Sequence, residues 1–148
     1  MIGMWLVAAV LATGEAVPAT SRVEVCAAKV WNDTQIDVVR DQVVSFKAEG
    51  RWIDLWIPSG PAGHDKWFMR PYRSMRRLPD ADWFAVVGCI EKTKCFPIGA
   101  EAERVMPASG RLYLYANDVR FMYWNNRGSV HVDIGASAPL TPPEDCGR

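Results

Sequence analysis

The chain has 148 residues, with 17 basic and 17 acidic side chains, and its formal net charge is therefore zero. This length suits one domain with a substantial core, and the neutral balance argues against a protein that binds nucleic acid or an anionic membrane through its overall field. Seven tryptophans are many for such a chain, so aromatic surfaces remain available for ligand stacking.

Residues 1–19 have the pattern of an export signal. Residues 4–11 form a short apolar run without charge, small residues follow, and Ala16 and Ala19 are the candidate cleavage positions. The basic residue that usually precedes such a run is missing, and the alternative is a buried first strand or helix. The run is too short to span a bilayer, so we expect a secreted or periplasmic protein without a membrane span.

Short strand-like segments, separated by Gly, Pro and Asn, follow one another through the rest of the chain. The predicted strands cover residues 22–30, 34–39, 42–48, 51–57, 83–90, 111–116 and 129–134. This spacing predicts an all-β protein, and specifically a β-sandwich. Residues 83–90 are continuously apolar, which predicts a strand buried on both faces.

Residues 59–82 break this pattern because they are rich in Pro, Gly and Arg. They predict a long loop with one helical turn at residues 72–78, and loops of this length are often functional. The loop carries Arg70, Arg73, Arg76 and Arg77. The neutral chain favours a solvated surface patch over a site for an anionic polysaccharide or phosphate, which the planar guanidinium would otherwise suit.

The four cysteines, Cys26, Cys89, Cys95 and Cys146, predict two disulfides in an oxidising compartment. Three connectivities are open. We favour Cys89–Cys95, which closes a short loop, with Cys26–Cys146, which ties the two chain ends together. The second bond would hold the Pro-rich tail, residues 137–148, against the domain. The spacing does not fit a zinc site.

The most informative segment is the loop at residues 117–129, which lies between two strand-like segments. It contains one carboxylate, Asp118, and several side-chain amides, including Asn125 and Asn126. Oxygen-rich loops can hold a hard cation such as calcium or hydrogen-bond sugar hydroxyls. The alternative is an ordinary hairpin turn at Asn-Asn-Arg-Gly without any ligand.

The same loop carries a family resemblance. Leu-Tyr-Leu-Tyr-Ala-Asn-Asp-Val at residues 112–119, followed after a short gap by Tyr-Trp-Asn-Asn-Arg-Gly-Ser at residues 123–129, resembles the calcium-dependent galactophilic bacterial lectins of the PA-I type. Weaker similarity at Gly-Pro-Ala-Gly, residues 60–63, and at Phe-Pro-Ile-Gly, residues 96–99, extends it across residues 23–134. The resemblance implies a galactose-binding-like β-sandwich of the jelly-roll type, which we expect to form a single domain at residues 20–136.

The resemblance also implies a site. The calcium ligands would be the Asp118 carboxylate, the amide oxygens of Asn125 and Asn126, and the backbone carbonyls of Met122 and Leu55. Sugar contacts would come from Asp118, Asn125, Val119 and His64. Calcium prefers six to eight oxygens, so vicinal sugar hydroxyls would complete the set, and Asp54 would add a charge if it points inward.

Two features depart from the family pattern. The lectins place a histidine and a glutamine a few residues after Gly-Pro-x-Gly, whereas His64 follows at once, and Arg120 and Phe121 occupy a turn where smaller residues are expected. The family resemblance therefore does not imply that this chain is specific for galactose. Trp67, Tyr72 and Trp124 flank the site in sequence, and a core position is favoured for Trp67 and Tyr72.

The sequence does not favour an enzyme. Each of the two histidines, His64 and His131, has an acidic residue close by in the sequence, but such neighbours rarely form a catalytic dyad, and no nucleophile or phosphate-loop motif is present. We expect an exported carbohydrate-binding protein that uses calcium and binds no nucleic acid, with homo-oligomerisation left open. The alternative is a secreted or envelope protein-interaction module that keeps the fold but not the sugar binding.

Overall fold

The computed structural model describes residues 20–136. The predicted signal peptide at residues 1–19, the tail at residues 137–148 and the pairing of Cys26 with Cys146 lie wholly or partly outside the described residues. Across residues 20–136, no helix has the length and apolar character needed to cross a bilayer.

The described chain consists of ten strands and two 3₁₀ helices. Their bounds are β1 (Thr20–Cys26), β2 (Asn32–Val38), β3 (Val43–Asp54), β4 (Ile57–Ser59), β5 (Ala62–His64), the first 3₁₀ helix (Trp67–Met75), β6 (Trp83–Ile90), β7 (Lys94–Pro97), β8 (Glu101–Val105), β9 (Gly110–Ala116), the second 3₁₀ helix (Tyr123–Asn125) and β10 (Asn126–Ala136).

These strands form two antiparallel sheets. The first sheet has the order β1-β10-β3-β4, and β8 pairs with the other half of β3. The second sheet has the order β2-β9-β6-β5, with β7 paired to β6. A hydrophobic core with residues from both sheets lies between them, so the predicted all-β sandwich is confirmed.

Strand β6 is buried on both faces, as its apolar run predicts. Side chains alternate across a strand, and Phe84 and Val86 point into the core between the sheets, where Phe84 meets Trp52 edge-to-face at 5.8 Å. Val87 and Cys89 point the other way and pack with Tyr115 in a second cluster on the outer face. The second sheet is therefore covered on both sides.

The predicted disulfide between Cys89 and Cys95 is confirmed. The two residues are opposite each other in the β6–β7 hairpin, and their sulfurs are bonded. Cys26 has no disulfide partner among residues 20–136. Its pairing with Cys146 stays a prediction.

Strand β3 corrects the predicted break between residues 48 and 51. It is one strand of 12 residues, and Gly50 lies inside it, opposite Val130. A Cβ at Gly50 would come within 3.2 Å of the backbone of β10, so this glycine permits close strand contact rather than a turn. The long strand carries the chain from one end of the sandwich to the other.

Other strand predictions were wrong at their limits. Strand β1 ends at Cys26 rather than at residue 30, because the Asn32 side chain bonds both the N–H and the C=O of Cys26 and closes a turn. Strands β4, β5, β7 and β8 were not predicted. They have only three to five residues, which is too short to show a clear period.

The long loop differs from its prediction in two ways. Its helical segment is Trp67–Met75 rather than residues 72–78, and two of its four arginines are not on a solvated patch. The Arg77 guanidinium lies 3.5 Å from the Tyr115 ring centre and 4.2 Å from that of Trp31, and it donates to the Tyr123 hydroxyl at 2.8 Å. Buried Arg76 lies over the Trp83 ring. A planar guanidinium suits such stacking, so these arginines fasten the loop to the second sheet.

Replacing Arg77 by lysine should therefore destabilise the protein. Lysine keeps the charge but loses the planar stacking, and its ammonium does not hold its donors at the guanidinium position that serves both the Tyr123 hydroxyl and the Val30 carbonyl. We expect the free energy of unfolding to fall by about 2 kcal/mol, measured by urea denaturation. Arg51→Lys, at an exposed position of β3, is the matched control and should change it by less than about 0.5 kcal/mol. Equal effects of the two substitutions would contradict the anchoring role.

Candidate functional site

The oxygen-rich loop lies where the chain crosses from one sheet to the other. Strand β9 belongs to the second sheet and β10 to the first, and residues 117–125 join them. Asn126 already pairs with β3 as the first residue of β10. The alternative of a simple hairpin turn at Asn-Asn-Arg-Gly is therefore wrong, because the strands on either side of it are in different sheets.

Asn117, the first residue of this loop, is a structural clamp. It is fully buried. Its amide donates to the carbonyls of Leu78 and Ala81 at 2.8 and 3.0 Å and accepts from the Leu78 N–H at 3.0 Å. With all its bonding capacity engaged, Asn117 fixes the end of the long loop and holds the next residue in position.

Asp118 points the other way and connects the two sheets. Its side chain is buried, and one carboxylate oxygen accepts the Val119 N–H at 2.7 Å. The other oxygen accepts from the amide of Asn126 at 2.9 Å. Asn126 is directly opposite Asp54 in the pairing of β10 with β3, so two carboxylates and one amide meet at this end of the sandwich.

A cavity of about 280 Å³ opens at this point. Its polar lining comes from Asp54, Asp118 and Asn125, and its apolar wall includes Met69, Tyr72, Met75, Trp83 and Phe121. The volume lies just below the usual range of ligand sites, about 300–1,000 Å³. A small ligand here would meet three polar side chains and an otherwise largely apolar wall.

The structure brings the sequence-predicted residues together. Five of the seven line the cavity, namely Leu55, Asp118, Val119, Met122 and Asn125. The other two lie directly behind it, because Asn126 bonds Asp118 and His64 Nε2 is 3.3 Å from an Asp54 carboxylate oxygen.

Two of these residues have a narrower role than the sequence implies. The His64 side chain is buried and contacts the cavity only through Asp54. Val119 uses its N–H for the Asp118 carboxylate and its carbonyl for the Met122 N–H. The Val119 N–H is thus not available to a ligand, and the Val119 side chain lines the cavity.

The electrostatics of the cavity are unfavourable for a bare carboxylate. Burial raises the pKa of Asp118, and the nearby Asp54 carboxylate raises it further, while the hydrogen bonds from Asn126 and Val119 oppose this shift. Desolvation and a neighbouring like charge both disfavour the ionised form. A cation in the cavity would offset both the loss of solvation of the Asp118 carboxylate and its repulsion by Asp54.

Two amide oxygens beside Asp118 also have no partner. Oδ1 of Asn125 and Oδ1 of Asn126 are buried without a hydrogen-bond donor, which is uncommon for buried acceptors. No cluster of three or more His, Cys, Asp or Glu side chains converges within residues 20–136, so a cation here would depend on amide and carbonyl oxygens. Hard cations accept such ligands, and the residues present therefore fit calcium.

The carbonyl of Leu55, a proposed calcium ligand, already accepts one hydrogen bond. Leu55 has a positive φ of 57°, which is unusual for a bulky side chain, and its carbonyl accepts from the Arg127 guanidinium at 3.1 Å. A carbonyl oxygen has two lone pairs, so one remains for another partner.

Sequence reasoning missed most of the apolar wall. Met69, Tyr72 and Met75 recur every third residue, which is the period of a 3₁₀ helix, and this signal could have identified the helix face. Trp67, Tyr72 and Trp124 are exposed, which corrects the expectation that Trp67 and Tyr72 are core residues. Asp54 was named only as a conditional contributor, because its direction depends on the strand register.

Comparison with known proteins supports the fold. No family model matches the chain, and no curated protein matches it. Among solved structures, the chain is similar to one described as "EclA N-terminal domain; PllA-like lectin", with a TM-score of 0.60 and 16% identity over 78% of this chain and 94% of that one. At this identity the similarity shows the fold alone. A lectin-like β-sandwich is confirmed, and membership of the calcium-dependent PA-I type stays a prediction.

The raised pKa of Asp118 predicts a pH-dependent stability without metal. An acid whose pKa is higher in the folded state opposes folding only where it is ionised, above its unfolded pKa of about 3.9. In chelator, Asp118→Asn should thus be more stable than the wild type near pH 7, and the difference should shrink as the pH falls towards about 3. In this variant the side-chain oxygen can still accept from the Val119 N–H. The new amide N–H faces Asn126, which can turn its unpaired Oδ1 towards it.

Urea denaturation over this pH range measures the effect. The control is Asp41→Asn. Asp41 is exposed and precedes the first residue of β3, whereas the cavity lies at the last residue of this 12-residue strand, which spans about 35 Å at the usual rise per residue. A pH-independent difference between Asp118→Asn and the wild type would contradict the prediction.

Proposed function

We propose that this protein is an exported, calcium-dependent lectin that binds a sugar in the cavity between Asp54 and Asn125. The observation that carries the proposal is the buried Asp118 carboxylate beside two buried amide oxygens that lack donors. The name of the solved structure similar in fold, a PllA-like lectin, supports the same class. We infer a binding role rather than a catalytic one.

The ion would be held by the Asp118 carboxylate, the amide oxygens of Asn125 and Asn126, and the carbonyls of Met122 and Leu55. Bound calcium supplies positive charge and open coordination positions for sugar hydroxyls. Asp54 is a further candidate, since it lines the same cavity and is held by His64. Two carboxylates would give the site a higher affinity than one.

The sugar would contact both sides of the cavity. Asp118 and Asn125 can hydrogen-bond its hydroxyls, and the Val119 side chain can pack against its ring. The exposed rings of Tyr72 and Phe121 face the same space and suit the apolar face of a sugar. His64 would act by orienting Asp54.

Export is supported by the Cys89–Cys95 disulfide, since structural disulfides persist in oxidising compartments. The N-terminal apolar run at residues 4–11 is consistent with the same route. We infer a secreted or periplasmic location.

The second candidate is a protein-interaction module with the lectin fold but without sugar binding. It is favoured by the Arg127 guanidinium, which is bonded to the Leu55 carbonyl and brings a positive charge to a proposed ion ligand. In that case the apolar wall would contact a protein instead.

Calcium should stabilise the wild type and not Asp118→Asn. A ligand that binds only the folded state adds about 2.7 kcal/mol at roughly 100 times its Kd, which raises the Tm by roughly 5–10 °C for a domain of this size. Thermal unfolding with calcium and with chelator measures this, and Asp41→Asn should respond like the wild type. An unchanged wild-type Tm at millimolar calcium would overturn the proposed ion site.

Sugar binding should require calcium. We expect the wild type to bind defined glycans on an array in calcium and to lose at least about tenfold in affinity in chelator or as Asp118→Asn, because a coordinated sugar loses its anchor. Asp54→Asn should weaken calcium and sugar together. A protein that binds calcium but no glycan would support the interaction module.

A further inference from the structure

Exposed apolar side chains are concentrated in the segments that contribute residues to the cavity. Within residues 20–136, eight of the eleven exposed large hydrophobic side chains lie in the three segments that border the cavity. We call this set the aromatic rim, and it consists of Leu55, Trp56, Trp67, Phe68, Tyr72, Met75, Phe121 and Trp124. Its tryptophans are among the most exposed residues of the set, with Trp124 77% and Trp67 76% accessible.

The aromatic rim is continuous with the cavity mouth. Four of its members line the cavity itself, namely Leu55, Tyr72, Met75 and Phe121. Trp56 follows Leu55, Trp124 precedes the cavity residue Asn125, and Trp67 meets Phe68 edge-to-face at 5.9 Å. None of the nine residues of the first 3₁₀ helix is buried, so among residues 20–136 no element fully covers the apolar side chains of this helix.

The charge of these segments is positive, although the whole chain is neutral. Residues 55–56, 65–75 and 120–127 contain five exposed basic side chains, Lys66, Arg70, Arg73, Arg120 and Arg127, and one exposed acidic side chain, Asp65. Asp65 is paired with Arg70. Exposed Asp80 and Asp82 lie beside Arg70 and Arg73 in a neighbouring surface pocket and offset part of this charge. The neutral total thus conceals a modestly basic face at the end of the sandwich that carries the cavity.

We propose that the aromatic rim docks on the surface of an anionic lipid bilayer. Tryptophan and tyrosine favour the membrane interface, where an apolar ring and a polar edge are both satisfied. Exposed arginine and lysine attract anionic headgroups. A protein held this way lies on the membrane without crossing it. The inference does not require bound calcium or sugar, although Tyr72 and Phe121 belong both to the aromatic rim and to the proposed sugar site.

The orientation has a consequence for the cavity. Because four members of the aromatic rim line the cavity, docking would turn its opening towards the headgroup layer. A ligand displayed on the same membrane would then meet the cavity at a high effective concentration.

Vesicle co-sedimentation tests the proposal. Wild-type protein is mixed in chelator with vesicles of phosphatidylcholine alone or of phosphatidylcholine with phosphatidylglycerol, neither of which contains sugar. We expect binding to the anionic vesicles to be at least about tenfold tighter and to weaken as salt is added. No binding to the anionic vesicles would overturn the proposal.

Paired variants identify the contacts. Trp67→Ala with Trp124→Ala should lower the partition into anionic vesicles at least about tenfold, and Arg73→Gln with Arg120→Gln should remove most of the preference for phosphatidylglycerol. The control pair Arg40→Gln with Arg104→Gln changes two exposed arginines outside these segments and should bind as the wild type does. All variants alter exposed side chains, and their thermal unfolding verifies the fold. Equal loss in the control pair would overturn the assignment to this face.

Two further measurements separate this proposal from others. Asp118→Asn should bind the vesicles normally, and a loss in that variant would assign the binding to the cavity instead. Analytical ultracentrifugation should show the same mass for the wild type and the tryptophan variant. A wild-type dimer that the tryptophan pair dissociates would show that a second copy of the chain covers the aromatic rim, and would overturn the proposal.

Discussion

The hydrogen bond between Asp118 and Asn126 joins the two sheets at the end where the chain crosses between them. Asp118 follows β9 in the second sheet, and Asn126 begins β10 in the first, opposite Asp54. This one contact therefore sets the distance between the strand ends that form the cavity. It also keeps a carboxylate buried where its pKa is raised, an arrangement that opposes stability and is typical of functional sites.

The adjacent residues Asn117 and Asp118, where the chain leaves β9, have separate roles because an extended chain points successive side chains in opposite directions. Asn117 points into the long loop and holds its end, whereas Asp118 points to the cavity. Arg77 fastens the same loop through the rings of Trp31 and Tyr115. Asn117 thus anchors the loop that forms the apolar wall of the cavity, and its neighbour Asp118 forms part of the polar lining of the same cavity.

The sequence was sufficient for the features that depend on local pattern. β6 was predicted with its limits, since a continuous apolar run reports burial on both faces, and β9 was predicted within one residue. β3 was divided wrongly at Gly50, because a glycine signals a turn and a close strand contact equally well. The positions of Asp118, Asn125 and Asn126 came from the family resemblance, and the structure brings them together.

What could not be predicted depends on contacts between distant segments. The interior position of Arg77 requires Trp31 and Tyr115, which lie far away in the sequence, and charge alone favoured a surface patch. The direction of Asp54 follows from its register with Asn126. Side-chain pattern reports which face of a strand is buried, but not which residue of another strand is opposite it.

The floor and the wall of the cavity differ in how tightly the fold constrains them. The polar floor, formed by Asp54 and Asp118, lies at strand ends whose register is fixed by the long pairing of β3 with β10, so the sandwich itself holds these side chains in place. The wall comes mainly from a 3₁₀ helix without a buried residue and from the turn at Phe121, and substitutions there remove little packing. The departures from the lectin pattern, at residues 64–70 and 120–121, lie in or next to this loosely packed wall. Such a fold can retain the polar floor while substitutions in the apolar wall change which ligand the cavity accepts.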